Sequence, residues 1–255
     1  MILIDEVKRF VLMVQFMTRI PVPVNIHAGE GDFGKGSRYF PVIGLILGLL
    51  VYAVYYGSLR ELPEEISVLI AIAASYALTG CMHIDGLADT FDGLFSARSR
   101  DKVLDIMKDS RIGTNGVLAV LFVVLFKALF LMEMDPLFVP TALIIAHVMG
   151  RWAMVPAMAF SRSARDGKGL GGLFIGRVKA LDVAVAAAFT LVFGYFFSGF
   201  SYAHVIWIAV ISALSGLSIT GYIHWRIGGM TGDTVGSIGE ITELISYAYV
   251  FMATR

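Results

Sequence analysis

The chain has 255 residues, 57% hydrophobic and 16% charged, and a mean hydropathy of +0.77. That is too apolar for a soluble domain and predicts an all-α, polytopic integral membrane protein. Acids and bases balance to zero net charge, which argues against nucleic acid as a partner, and a single cysteine, Cys81, excludes an internal disulfide or a cysteine-ligated metal cluster.

Residues 2–19 set Leu3, Val7, Phe10, Val11, Val14 and Met17 at helical spacing, with Lys8, Arg9, Gln15 and Arg19 elsewhere. This predicts an amphipathic helix lying at the membrane interface and ended by Pro21 and Pro23. The start imitates a signal peptide, but Gln15 and Arg19 interrupt the apolar run and no A-x-A site follows, so the segment is expected to be retained. A polar loop, 25–38, leads to a first span at 39–59, in which Gly44 and Gly48 form a G-x-x-x-G spacing suited to close helix packing. Further spans are predicted at 66–82, 112–132 and 136–160. The run 183–223 lacks Asp, Glu, Lys and Arg and is long enough for two spans turning at 198–201; a last span follows at 235–253. The prediction is a bundle of about seven spans plus the N-terminal interfacial helix, forming one domain, 1–255. Lys127 and Arg151 fall inside spans and are expected to face the bundle interior, pairing with acids or phosphate. With seven spans, the N-terminus and the loops 83–111, 161–179 and 222–234 share a side rich in Lys and Arg, while the other side has only Arg60 and Arg255. The asymmetry predicts a multi-pass protein of the cytoplasmic (inner) membrane with these polar loops in the cytoplasm.

The stretch 83–116 concentrates the charge. On a helix, Asp85, Asp89 and Asp92 stand at i, i+4 and i+7 and share one face. Such a face repels itself unless a cation sits on it, and oxygen-only ligands favour a hard cation, best magnesium, which works with phosphates. Arg98, Arg100, Lys102, Lys108 and Arg111 follow as natural phosphate partners. The competing reading is a solvated loop whose acids and bases pair among themselves to little effect. Against it, no base interrupts the first three aspartates, and Gly86 and Gly93 allow close backbone approach.

Other groups support this stretch. Asp233 lies in a T-G-D turn. Glu240 and Glu243, three apart at the start of the last span, either cap a helix N-terminus or complete a metal or substrate site. The loop 167–172, which includes Lys168, is either an anion cradle or a flexible basic loop. His83, two residues before Asp85, is assigned a supporting role.

The runs H-I-D-G-L-A-D-T-F-D-G at 83–93, M-K-D-S-R-I-G-T at 107–114 and G-G-M-T-G-D at 228–233 resemble the cobalamin synthases, the adenosylcobinamide-GDP ribazoletransferases. T-R-I-P-V-P at 18–23 and F-P-V-I-G at 40–44 fit the same family, and the resemblance covers nearly the whole chain. It implies a magnesium-dependent membrane enzyme that joins α-ribazole, or its 5′-phosphate, to adenosylcobinamide-GDP and releases GMP, a late step of cobalamin biosynthesis. The roles expected under that reading are metal binding and catalysis for Asp85, Asp89, Asp92 and Asp109, with Asp105 as a further metal ligand. Arg98, Lys108, Arg111 and Lys168 would hold phosphate, and Asp233, Glu240, Glu243 and His83 would surround substrate. Membrane lipid is an expected partner, and assembly into a homo-oligomer is left open. A looser resemblance is to the CDP-alcohol phosphatidyltransferases, with their D-x-x-D-G-x-x-A-R and G-x-x-x-D-x-x-x-D pattern. Asp89, Asp92 and Gly93 match its start, Ala97 and Arg98 come one residue late, and Asp105 and Asp109 match its end, with aspartate at 101 in place of glycine. An ion-coupled transporter is the third reading, but it would carry its acids at mid-span rather than at one boundary mixed with bases.

Overall fold

A computed structural model describes residues 2–29, 31–167 and 169–255, and among them the regular structure is helical, with no β-strand. The first helix, α1 (Ile2–Met17), has the two faces its spacing predicts. Leu12, Met13, Val14 and Met17 are buried against the bundle, whereas Leu3, Ile4 and Val7 are exposed. Ion pairs fix α1 in place. Lys8 and Arg9 reach Asp32 at 3.3 and 3.0 Å in the short helix α2 (Asp32–Gly36). Glu6 pairs with Arg9 and Arg38 and accepts from the Tyr39 hydroxyl at 2.7 Å.

The centre of the bundle is α8 (Val139–Ala159), nearly all of whose residues are buried. It packs against α3 (Phe40–Ser58), α9 (Ala180–Phe197), α10 (Tyr202–Ile227) and α11 (Gly232–Ala253). Gly44 and Gly48 make the α3–α8 contact: a Cβ on Gly48 would lie 2.7 Å from the Ile144 Cα. The G-x-x-x-G spacing therefore does what the sequence predicts, letting two backbones approach.

All seven predicted spans are helices, but five of them have the length and hydropathy of a membrane span: α3 with its leading turns, α7 (Thr114–Met132), α8, α9 and α10. The helix α4 (Glu64–Thr79) is short, at 16 residues, and qualifies only together with α5 (Met82–Leu94), to which it is joined by an 89° bend. The last predicted span, α11, is made less apolar than these five by its acids, glycines and hydroxyls. It tolerates them because it is buried against α5 and α8. Its hydroxyls return to their own helix, Ser237 to the Thr234 carbonyl and Ser246 to that of Thr242, both at 2.8 Å.

The bend between α4 and α5 decides where the acids go. Gly80 and Cys81 both take left-handed backbone, at φ 62° and 60°, so one helix stops and another starts at a right angle. Gly80 also leaves room for the Arg19 side chain, while the Arg19 N–H donates to the Leu78 carbonyl at 2.7 Å. Beyond α5 the polar loop includes a further short helix, α6 (Arg100–Ile106).

Candidate active site

The site forms where α5 runs beside the first turns of α11. Two glycines set the distance between them. A Cβ on Gly86 would stand 2.8 Å from the Asp233 carbonyl oxygen, and one on Gly236 would stand 3.2 Å from the His83 Cα. With the backbones this close, Asp85 and Asp89 of α5 share a space with Asp233 of α11. Asp89 is half-buried, and the charges of Asp233, Asp85 and Asp92 all bear on it, against the single guanidinium of Arg165.

The G-G-M-T-G-D run builds the other wall. Gly228, at φ 76°, ends α10, and Thr231 caps α11, its hydroxyl accepting from the Thr234 N–H at 3.3 Å and donating to Asp233 at 3.2 Å. Met230 pairs by backbone with the 162–164 strand-like segment, donating to the Arg162 carbonyl and accepting from the Ala164 N–H, both at 2.8 Å. A Cβ on Gly229 would meet the Arg162 carbonyl oxygen at 2.6 Å. Arg100 locks the assembly by donating to the carbonyls of Ile227 and Ala164 at 2.9 and 2.8 Å.

This places Arg165, which the sequence reading missed, at the centre of the site. Its Nη2 lies 3.4 Å from the Asp233 carboxylate, off line for a hydrogen bond. Among the described residues, neither Nε nor Nη2 of Arg165 finds an acceptor, although both are shielded from solvent. Buried guanidinium N–H groups without partners are costly, and an anion would satisfy them. Arg165 lines two adjoining clefts, one with Asp233, Thr231 and the glycines 169, 171 and 172, the other with Lys108, Asp101 and Asp105. A signal was present in the S-R-S-A-R run, but charge alone does not distinguish Arg165 from Arg162, whose Nε donates to the Gly228 carbonyl at 2.7 Å.

The structure divides the remaining predicted residues. Asp92 accepts from the Gly113 and Gly116 N–H groups at 2.7 and 2.8 Å and so caps the N-terminus of α7. Asp109 pairs with Arg111 at 2.6 Å on the surface, and the guanidinium holds its carboxyl down at about 2. Asp105 faces Lys102 at 3.8 Å and the Lys108 cleft. Arg98 and Lys108 are exposed, and Lys108 lines the second cleft. Lys168 lies outside the described residues.

Glu240 and Glu243 are eight and eleven residues past the start of α11, too deep to cap it, and are fully buried. Lys127 of α7 bonds both, at 2.6 and 2.7 Å, and Arg151 of α8 pairs with Glu243. Arg151 also donates to His83 Nδ1 at 3.3 Å, and the Tyr76 hydroxyl donates to Glu240 at 3.3 Å. Two acids thus meet two bases, as expected for intramembrane Lys127 and Arg151.

No three acids or histidines among the described residues converge into a ready-made metal cage. The donors at Asp85, Asp89 and Asp233 are nevertheless all oxygens with excess negative charge. They fit a magnesium ion, which binds through one or two carboxylates and completes its shell with water and substrate phosphates.

No solved structure matches the chain. A family model described as cobalamin-5-phosphate synthase matches residues 9–251. The adenosylcobinamide-GDP ribazoletransferase of Thermoanaerobacter pseudethanolicus is 44% identical over 240 residues, covering 94% of this chain and 95% of the relative. That of Caldanaerobacter subterraneus is 44% identical over 245 residues, covering 96% and 98%. That of Listeria monocytogenes is 36% identical over 241 residues, covering 93% and 95%. With the family model spanning the bundle and the relatives matching from end to end, this chain belongs to the cobalamin-5-phosphate synthase family.

Proposed function

We infer that the chain is a multi-pass membrane transferase that joins α-ribazole, or its 5′-phosphate, to adenosylcobinamide-GDP and releases GMP. The observation that carries this reading within the molecule is the pairing of two unsatisfied groups. One is the carboxylate cluster of Asp85, Asp89 and Asp233, short of positive charge; the other is the half-buried Arg165, whose shielded Nε and Nη2 are short of acceptors. A pyrophosphate bound with a hard cation satisfies both.

Asp85, Asp89 and Asp233 are the residues to hold magnesium. When bound, magnesium would neutralise pyrophosphate charge and polarise the phosphorus under attack. Arg165 donates to the pyrophosphate oxygens, and Lys108, in the adjoining cleft, extends the positive field along the nucleotide. A carboxylate of the cluster takes the proton of the attacking ribazole hydroxyl. Gly86 and Gly236 hold the two acid-bearing helices at the separation the site needs, and the Asp92 cap ties α5 to α7. The excess of Lys and Arg in the loops at this end supports a cytoplasmic face, and a cysteine at exposed Ser99, in a Cys81→Ser background, should react with a membrane-impermeant thiol reagent only from that side.

The test is the fate of phosphorus. Purified protein given magnesium, α-ribazole and adenosylcobinamide-GDP labelled in the cobinamide-side phosphate should retain the label in the corrinoid product. Label in the guanosine-side phosphate should leave as GMP. Release of CMP from a CDP-alcohol, with no GMP from the corrinoid, would replace this reading with a lipid synthase.

A further inference from the structure

An apolar cavity of about 100 Å³ opens beside Asp233 and runs into the bundle between α1, α3, α5, α8 and α11. We propose that it is the acceptor pocket, holding the flat, methylated benzimidazole ring of α-ribazole with the ribose directed at the carboxylate cluster. The proposal rests on the transferase reading above and assigns that reaction's acceptor a place in the fold.

One wall is aromatic: Phe174 stands against Phe16 and Phe40, with ring centroids 5.1 and 5.6 Å apart. The facing surface is sulfur-rich, from Met17, Met82, Met154 and Met158. Aromatic rings and polarisable thioethers suit a flat, neutral, weakly polar ring. The cavity is far too small for a corrin macrocycle, and its flexible methionines can move aside to seat a single flat ring. At the loop end, Gly171, Gly232, Asp233 and the exposed Leu170 line both this cavity and the Arg165 cleft, so the mouth adjoins that cleft. An acyl chain would have no use for the carboxylate of Asp233 at that mouth.

One polar group deeper in the cavity fits the same ligand. Arg151 donates to Nδ1 of His83, and a guanidinium can only donate, so the His83 proton sits on Nε2. His83 lines the cavity, and its Nε2–H is left to donate to the unsubstituted ring nitrogen of the benzimidazole. Arg151 thereby fixes the tautomer and couples the pocket to the buried ion cluster.

The experiment uses the full-length protein in detergent and measures the KM for each substrate separately. Leu170→Trp at the mouth and Met158→Trp inside should raise the KM for α-ribazole at least about tenfold, leaving that for adenosylcobinamide-GDP within about twofold. Leu170 is 63% exposed, so its variant tests the idea even if Met158→Trp fails to fold. An acceptor lacking both ring methyls should bind about tenfold or more weaker, since lost apolar contacts of this size are worth roughly 10–200-fold. So should one with carbon in place of the free ring nitrogen. Unchanged α-ribazole KM in Leu170→Trp, or a shift confined to the corrinoid KM, would overturn the pocket while the transferase reading stands. No product from the unmodified protein would remove both, and is seen before any variant is made.

Discussion

The same two helices, α5 and α11, carry two groups of acids that the fold treats in opposite ways. Glu240 and Glu243 are buried beside Lys127 and Arg151, so four charges cancel within the bundle. Asp85, Asp89 and Asp233 stand together a few turns away with excess negative charge, while the nearest cation, Arg165, keeps two N–H groups unused. Charge neutralised by the chain itself holds helices in register. Charge left over must be met by something that arrives, and a magnesium-bound pyrophosphate is the substrate we propose for it.

Substitutions should therefore part the two groups cleanly. The largest effect on turnover is expected from Asp89→Asn. It should lower kcat/KM on the order of 10³-fold, the scale of losing a group that stabilises charge in the transition state. Because it also relieves repulsion from Asp85, Asp92 and Asp233, its thermal midpoint should match or exceed that of the parent. A large fall in the midpoint would mean that Asp89 belongs with the structural acids.

Lys127→Met should behave in the opposite way. It leaves Glu240 and Glu243 facing Arg151 alone, and breaking a buried pair costs about 3–5 kcal/mol. Thermal unfolding in detergent should show that loss, and adding Glu240→Gln should recover part of it by removing the stranded charge. Lack of recovery in the double variant would show that the cluster is not balanced pairwise.

Arg165→Gln should lower kcat/KM about 100-fold with little change in stability, because among the described residues its Nε and Nη2 make no hydrogen bond and the variant loses only the partly exposed 3.4 Å ion pair with Asp233. Arg165→Lys should rescue little, since a point charge cannot replace two N–H donors in a fixed fork. Full activity in the lysine variant would reduce Arg165 to a source of field.

Much of this contrast was legible in the sequence. The helical spacing of Asp85, Asp89 and Asp92, the interior placement of Lys127 and Arg151, and the G-x-x-x-G contact at Gly44 and Gly48 all depend on local period and span geometry. The partners were not legible. Glu240 and Glu243 look alike whether they meet a substrate or Lys127, because the answer depends on which helix lies opposite. Arg165 is separated from Asp233 by 68 positions and is distinguished from Arg162 only by the backbone pairing at Met230. Two of the predicted spans, α4 and α11, fall short of the other five in length or hydropathy for a related reason. A helix shielded by its neighbours, such as α11, needs less hydropathy than one facing lipid, and α4 ends early where Gly80 and Cys81 turn the chain.

Asp92 lies on the boundary of the comparison and gives the smallest and most discriminating effect. It sits on the acid face of α5, yet both its oxygens are taken by the N–H groups of Gly113 and Gly116. There a Cβ would collide with the carboxylate; on Gly113 it would lie 2.5 Å from Oδ1. Only glycine lets the first turn of α7 wrap the side chain, so the R-I-G-T-N-G run is built around this contact. Asparagine keeps one of the two acceptor oxygens and alanine keeps neither, and loss of a cap costs about 1 kcal/mol. Asp92→Asn should thus lose less stability than Asp92→Ala and retain activity within about tenfold, and Asp92→Ala should lose about 1 kcal/mol and more of its turnover as α5 slips against α7. The ratio of the two variants, read in the same melts and assays, separates capping from metal binding. A metal ligand would lose activity equally in both, because neither side chain carries the charge. Equal and severe loss would move Asp92 from the acids that the fold satisfies to those it leaves for the substrate.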